Sequence, residues 1–100
     1  MIEMLVGTMT MHIHLSGIGS LKDKRRIVKS LIERLKNRFN FSVAEVDAQD
    51  SKQLAVIGLA TVSNDSIHIT KQLDRVIEFA RADHRFNLGR TEREIFSANS

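Results

Sequence analysis

Along the first fifteen residues, apolar and polar side chains alternate. Leu5, Gly7, Met9, Met11, Ile13 and Leu15 fall on one side, and Val6, Thr8, Thr10, His12 and His14 on a mostly polar other side. A period of two predicts a half-buried strand over residues 4–15. Gly17-Ile-Gly19 then breaks it. Beyond Ser20 the period changes. Leu21, Val28, Leu31, Ile32, Leu35 and Phe39 recur at helical spacing. They predict a helix over 21–38, about 27 Å long at ~1.5 Å per residue. Ser20, three residues ahead of Asp23, is placed to cap it, and Asn37 and Asn40 to stop it.

The remaining chain continues in the same code. Residues 41–46 read as a second strand and 47–52 as a polar turn, in which Asp47 and Asp50 are turn formers. Residues 54–62, rich in β-branched and small apolar side chains, read as a third strand. The cluster Ser63-Asn-Asp-Ser66 predicts a helix start, and Ile69, Leu73, Val76, Ile77 and Ala80 supply its apolar stripe as far as about Asp83. Residues 88–96 form a charged last strand, suited to a sheet edge. The order is βαββαβ. Each helix has one apolar stripe and strand one has one apolar face, so both helices cover the same face of a four-stranded antiparallel sheet. This is the α+β, ferredoxin-like arrangement. Leu5, Met9, Met11, Leu31, Leu35, Leu73 and Val76 are its expected core. The opposite face, carrying Thr8, Thr10, His12 and His14, is expected to be solvated or a modest homodimer contact.

Composition narrows the function. One hundred residues make a single domain, long enough to bury one core. With no Cys, disulfides, thiolate nucleophiles and Cys-based zinc sites are excluded. Residues 1–6 lack the pattern of a signal peptide, and the longest apolar stretch, 54–60, is far shorter than a membrane span of ~20 residues. A cytoplasmic location without membrane contact is the expectation.

The net charge of +3 is unevenly spread. Residues 20–39 hold eight basic and two acidic side chains, net +6, whereas the other eighty hold seven basic and ten acidic, net −3. Lys22, Lys24, Arg25 and Arg26 stand in the first two turns of the predicted helix, with Lys29 just beyond. Lys22, Arg25, Arg26, Lys29 and Lys36 share one flank, interrupted by Glu33, and Arg34 and Arg38 lie on the other. Cations near a helix N-terminus oppose its dipole, by about 0.3–1 kcal/mol each. A local rule broken in this way marks a position kept for function, and an anion such as phosphate is the natural gain. The alternative is a solvated charged face, since long basic side chains often cover helix edges.

The runs Ser20-Leu-Lys-Asp-Lys-Arg-Arg-Ile-Val-Lys-Ser-Leu31, Asn37-Arg-Phe-Asn-Phe-Ser-Val-Ala-Glu-Val-Asp47 and Val62-Ser-Asn-Asp65 resemble the YlxP-like family, a bacterial domain family of unknown function. The resemblance covers nearly the whole chain. It is closest through the first helix and second strand and less distinctive in the last strand. It implies the ferredoxin-like fold reached above. Members are often encoded beside translation initiation factor two and ribosome-binding factor A, which implies a ribosome or RNA role. The family offers no agreed active site to carry over.

Other chemistries fit less well. Gly17-Ile-Gly19-Ser20 lacks the ending of a P-loop and the third glycine of a dinucleotide fingerprint, and reads as a strand-to-helix turn. His12 and His14 lie about 7 Å apart by strand geometry, without a third ligand close in sequence, so neither a metal nor another cofactor is expected. Base stacking on the sheet needs aromatics in strands one and three, and residues 54–62 have none. An acylphosphatase-like cradle would press Arg25 or Arg26 and Asn64 into service, but the loop does not match that motif, and no enzyme is expected. The sequence therefore points to Lys22, Lys24, Arg25, Arg26 and Lys29 as contacts to the phosphates of ribosomal RNA or particles. Docking of an acidic protein partner through the same surface is the alternative.

Overall fold

The computed structural model describes residues 2–99. Strand β1 (Leu5–His14) is followed by helix α1 (Leu21–Arg38), strands β2 (Ser42–Asp47) and β3 (Leu54–Ser63), helix α2 (Ser66–Arg81) and strand β4 (Asn87–Ser97). The four strands form one sheet in the order β2-β3-β1-β4, every neighbouring pair antiparallel. This is the expected ferredoxin-like fold. No described helix is long and apolar enough to cross a membrane.

The ends of the helices follow from their caps. The Ser20 hydroxyl accepts from the Asp23 N–H at 3.1 Å, and Phe39 closes α1 by donating its N–H to the Leu35 carbonyl. At α2 the carboxylate of Asp65 accepts from the Ile67 and His68 N–H groups, satisfying two donors left without helical partners.

The two periodicities meet in one core. Met9, Met11 and Ile13 of β1 and Ala55, Ile57 and Leu59 of β3 face Val28, Leu31 and Leu35 of α1 and Ile69, Leu73 and Val76 of α2. All the expected core residues are buried except Leu5, which packs half-buried at the margin. Gly7 belongs to the same face because α2 crosses there, where a Cβ would collide with Cγ2 of Ile69. Removing the side chain is what lets helix and sheet touch at that point.

Below the core, polar contacts bind the helices to each other. Asp83, just beyond α2, is 5% exposed and pairs with Arg85 at 2.6 Å and with Arg34 of α1 at 3.3 Å. Arg85 also donates to the Ser30 hydroxyl at 3.1 Å. The hydrogen bond from Arg85 holds the Asp83 carboxyl below its ordinary pKa; burial opposes that shift, and the charge of Arg34 adds to it. The guanidinium of Arg85 is correspondingly shifted up. A carboxylate with a depressed folded-state pKa contributes stability that is complete above its unfolded value near ~3.9 and vanishes as pH falls through the folded value. Asp83→Asn is therefore expected to lower the unfolding free energy at neutral pH by about 0.5–1 kcal/mol, the range of solvent-screened pairs. Denaturant titrations at successively lower pH beneath the unfolded value should show that gap narrowing; a gap that stays constant with pH would contradict this role.

Candidate nucleic-acid interface

Helix α1 presents two flanks on either side of its buried stripe. On the flank towards α2, the guanidinium carbons of Arg34 and Arg38 lie 4.9 and 5.3 Å from the centroid of the Phe79 ring. Arg34 is also ion-paired to Asp83. These cations serve the packing of helix on helix.

The flank over β2 differs. Lys22, Arg25, Arg26, Lys29 and Lys36 are all exposed. None of them has an ion-pair partner among the described residues. Arg25, Lys29 and Lys36 rim a groove of about 360 Å³ floored by Val28 and Ile32 and bounded by Glu33 and Glu45. The preceding turn is shaped by Gly17, whose φ of 72° favours glycine.

Lys24 does not belong to this surface, and its assignment as a phosphate contact is corrected. Its side chain is 0% exposed and runs inward. The ammonium donates to the Ala48 carbonyl at 2.6 Å and the Gln49 carbonyl at 3.5 Å, and pairs with Glu45 Oε2 at 3.0 Å. That Oε2 is buried without a well-directed hydrogen bond, so the contact with Lys24 is an ion pair at a skewed angle. Ala48 takes the left-handed conformation, φ 62°, which carries the β2–β3 turn past the lysine. A signal was present in the sequence: Lys24, Val28, Leu31 and Leu35 are spaced four, three and four apart, the phase of the buried stripe. The structure thus brings together Lys22, Arg25, Arg26 and Lys29 of the expected set, adds Lys36, and removes Lys24.

The other face of the sheet is uncovered. Residues paired across strands point to the same side, so Val62, Val6 and Phe96 share one row, and Ala44, Gly58, Thr10 and Glu92 another. Phe96 is the aromatic side chain on this face, at its β4 edge. The His12 ring Nδ1 lies 3.2 Å from the Arg90 carbonyl. Among the described residues, no three His, Asp or Glu side chains converge as metal ligands.

Fold and surface together define a small ferredoxin-like α+β domain with one unpaired basic helix flank. Residues 6–93 match the family described as "Protein of unknown function (DUF503)", and the chain belongs to that family. Its description names no activity. A relative from Bacillus subtilis (strain 168), "Uncharacterized protein YlxP", is 41% identical over 61 residues. The matched segment spans 61% of this chain and 66% of the relative. Among solved structures, the de novo designed protein Foldit4 superposes with a TM-score of 0.51 at 14% identity, covering 96% of this chain and 97% of that one. SnoaB, a cofactor-independent oxygenase from Streptomyces nogalater, gives 0.50 at 13% identity, covering 97% of this chain and 94% of that one. At such identities the likeness is one of fold alone.

Lys24 is expected to be structural. Lys24→Ala leaves the Glu45 carboxylate facing a cavity and two carbonyls without their donor, a loss of about 3 kcal/mol. Lys24→Met, which keeps the volume, should cost less. Chemical denaturation of both variants checks this, and two variants as stable as the wild type would show that the buried contact is dispensable.

Proposed function

We propose that this domain binds structured RNA, ribosomal RNA in the first place, by seating backbone phosphates on the flank of α1 formed by Lys22, Arg25, Arg26 and Lys29, with Lys36 extending the track. The observation that carries the reading is the contrast between the two flanks. Arg34 and Arg38 are used on Phe79 and Asp83, whereas Lys22, Arg25, Arg26, Lys29 and Lys36 form no ion pair among the described residues, although Glu33 and Glu45 border the groove beside three of them. An unanswered row of cations along about 21 Å of helix, at ~1.5 Å per residue, fits a polyanion. Strands β1 and β3 carry no Phe, Tyr or Trp on the open face, where β1 presents the small imidazoles of His12 and His14, so this face is a poor platform for stacking bases. The recognition is then of phosphate and shape, the usual mode for paired RNA. The Bacillus subtilis relative, itself uncharacterised, adds no ligand to this reading.

A second reading has its own observation. The groove rimmed by Arg25, Lys29 and Lys36 has an apolar floor in Val28 and Ile32 and lies beside the edge strand β2, whose outer backbone groups have no strand partner. An acidic extended segment would suit it. Ile32→Gln separates the two, because it spoils an apolar floor while leaving every cation in place.

With four phosphate contacts, affinity for a ribosomal RNA fragment should fall by roughly two orders of magnitude between ~50 and ~200 mM salt. Replacing Arg25, Arg26 and Lys29 with Ala should flatten that salt slope and weaken binding. Ile32→Gln, and His12→Ala with His14→Ala, should leave affinity within about threefold, or ~0.7 kcal/mol. Fluorescence anisotropy titrations measure all of these. Absence of wild-type binding at low salt, or a triple variant that binds as well as the wild type, would overturn the proposal and leave the acidic-partner reading in its place.

A further inference from the structure

We infer that the uncovered face of the sheet is the interface of a symmetric homodimer. Both helices lie on the opposite face, so none of the described residues packs over this one. Three of the large apolar side chains most exposed among the described residues stand on it: Val46, Val62 and Phe96, at 52, 61 and 42%. Ala44, Gly58, Ala60 and Val6 join them into one patch. Contiguous exposed apolar surface of this kind marks an interaction site.

The occupant follows from the shape of the patch. The β4 edge carries a knob, Phe96, and the β2–β3 side carries hollows. One hollow, of about 380 Å³, lies among Thr8, Thr10, Ala44, Val46, Gly58 and Ala60, and exists because small residues occupy its floor. A second, of about 270 Å³, lies at the end of β3 between Asn40, Ser42 and Val62. Knob and hollow stand on opposite sides of the sheet's midline between β3 and β1. A two-fold axis running along the strands in the plane between two copies sets β4 of each over β2 of the other. Each Phe96 is then carried towards the other copy's hollows. One surface supplies both halves of the fit, as an isologous interface requires.

Charge selects the same axis. Glu92 and Glu94 lie on this face along β4, and Arg90, which pairs with Glu92 at 2.9 Å, adjoins them. A two-fold axis across the strands would set β4 on β4 and oppose the four carboxylates of two copies. The axis along the strands keeps the two pairs at opposite edges, over the Ser42 and Ala44 rim of the larger hollow. The area is sufficient for a weak dimer. Four strands ~4.8 Å apart and roughly nine residues long at ~3.3 Å each make a face of about 570 Å² in projection. That footprint is below the ~800 Å² per partner of a standard interface and fits a dimer that dissociates reversibly. In such a dimer the two α1 flanks remain on the outside.

Sedimentation equilibrium of the full chain from low micromolar to near-millimolar protein tests this. The wild type should dimerise reversibly. Phe96→Asp should weaken the dimer at least about tenfold, the effect of one hot-spot side chain. Val62→Lys, at a more exposed position, should do the same with unchanged circular dichroism and thermal unfolding. Ile67→Asp, an equally exposed apolar position at the start of α2, should leave the dimer intact. A wild type that stays monomeric throughout, a dimer indifferent to both face substitutions, or one dissociated by Ile67→Asp alone would overturn the inference.

Discussion

The buried ammonium of Lys24 is the contact on which the working surface of this domain depends. A lysine among apolar side chains is tolerable only where its charge and its donors are answered, since an unpaired buried ion costs several kcal/mol. Here Glu45 answers the charge and the carbonyls of Ala48 and Gln49 accept hydrogen bonds from the ammonium. Those partners belong to β2 and the turn after it, so satisfying one side chain fixes how α1 is rotated about its own axis. With Lys24, Val28, Leu31 and Leu35 turned inward, Lys22, Arg25, Arg26, Lys29 and Lys36 are obliged to face outward. Lys24 thus contributes to the basic surface by leaving it.

The rest of the molecule divides along the same line. The far flank of α1 is absorbed into structure through Phe79, Asp83 and Arg85. The apolar face of the sheet is absorbed into the core under both helices. Two surfaces remain without internal partners, the basic flank of α1 and the open face of the sheet. They lie on different sides of the sheet, one on the helix layer and one on the uncovered face.

Much of this was legible in the sequence. The bounds of α1 follow from Ser20 and the apolar stripe and agree at both ends, because cap and period are local properties. The strand bounds agree to within one residue at every end, inside the usual uncertainty of element ends. What could not be read locally depends on distant pairings. Phe96 lies on the open face only because β4 pairs with β1 in a register that sets it against Val6. Arg34 and Arg38 find Phe79 at sequence separations of 45 and 41 residues. Lys24 is the instructive case: its phase in the helix marked it as inward, but its charge marked it as a surface cation, and phase decided once a carboxylate and two carbonyls were in reach.

One side of α1, and no other part of the domain, is expected to meet nucleic acid. Amide and side-chain NMR shifts recorded while a short RNA duplex is titrated into the labelled protein test this most directly. The expected footprint is Lys22, Arg25, Arg26, Lys29 and Lys36, with Lys24, Arg34, Arg38 and the open-face residues Thr8, Thr10 and Val46 unmoved. A footprint centred on the sheet, or one that includes Arg34 and Arg38 while sparing Arg25 and Lys29, would contradict it.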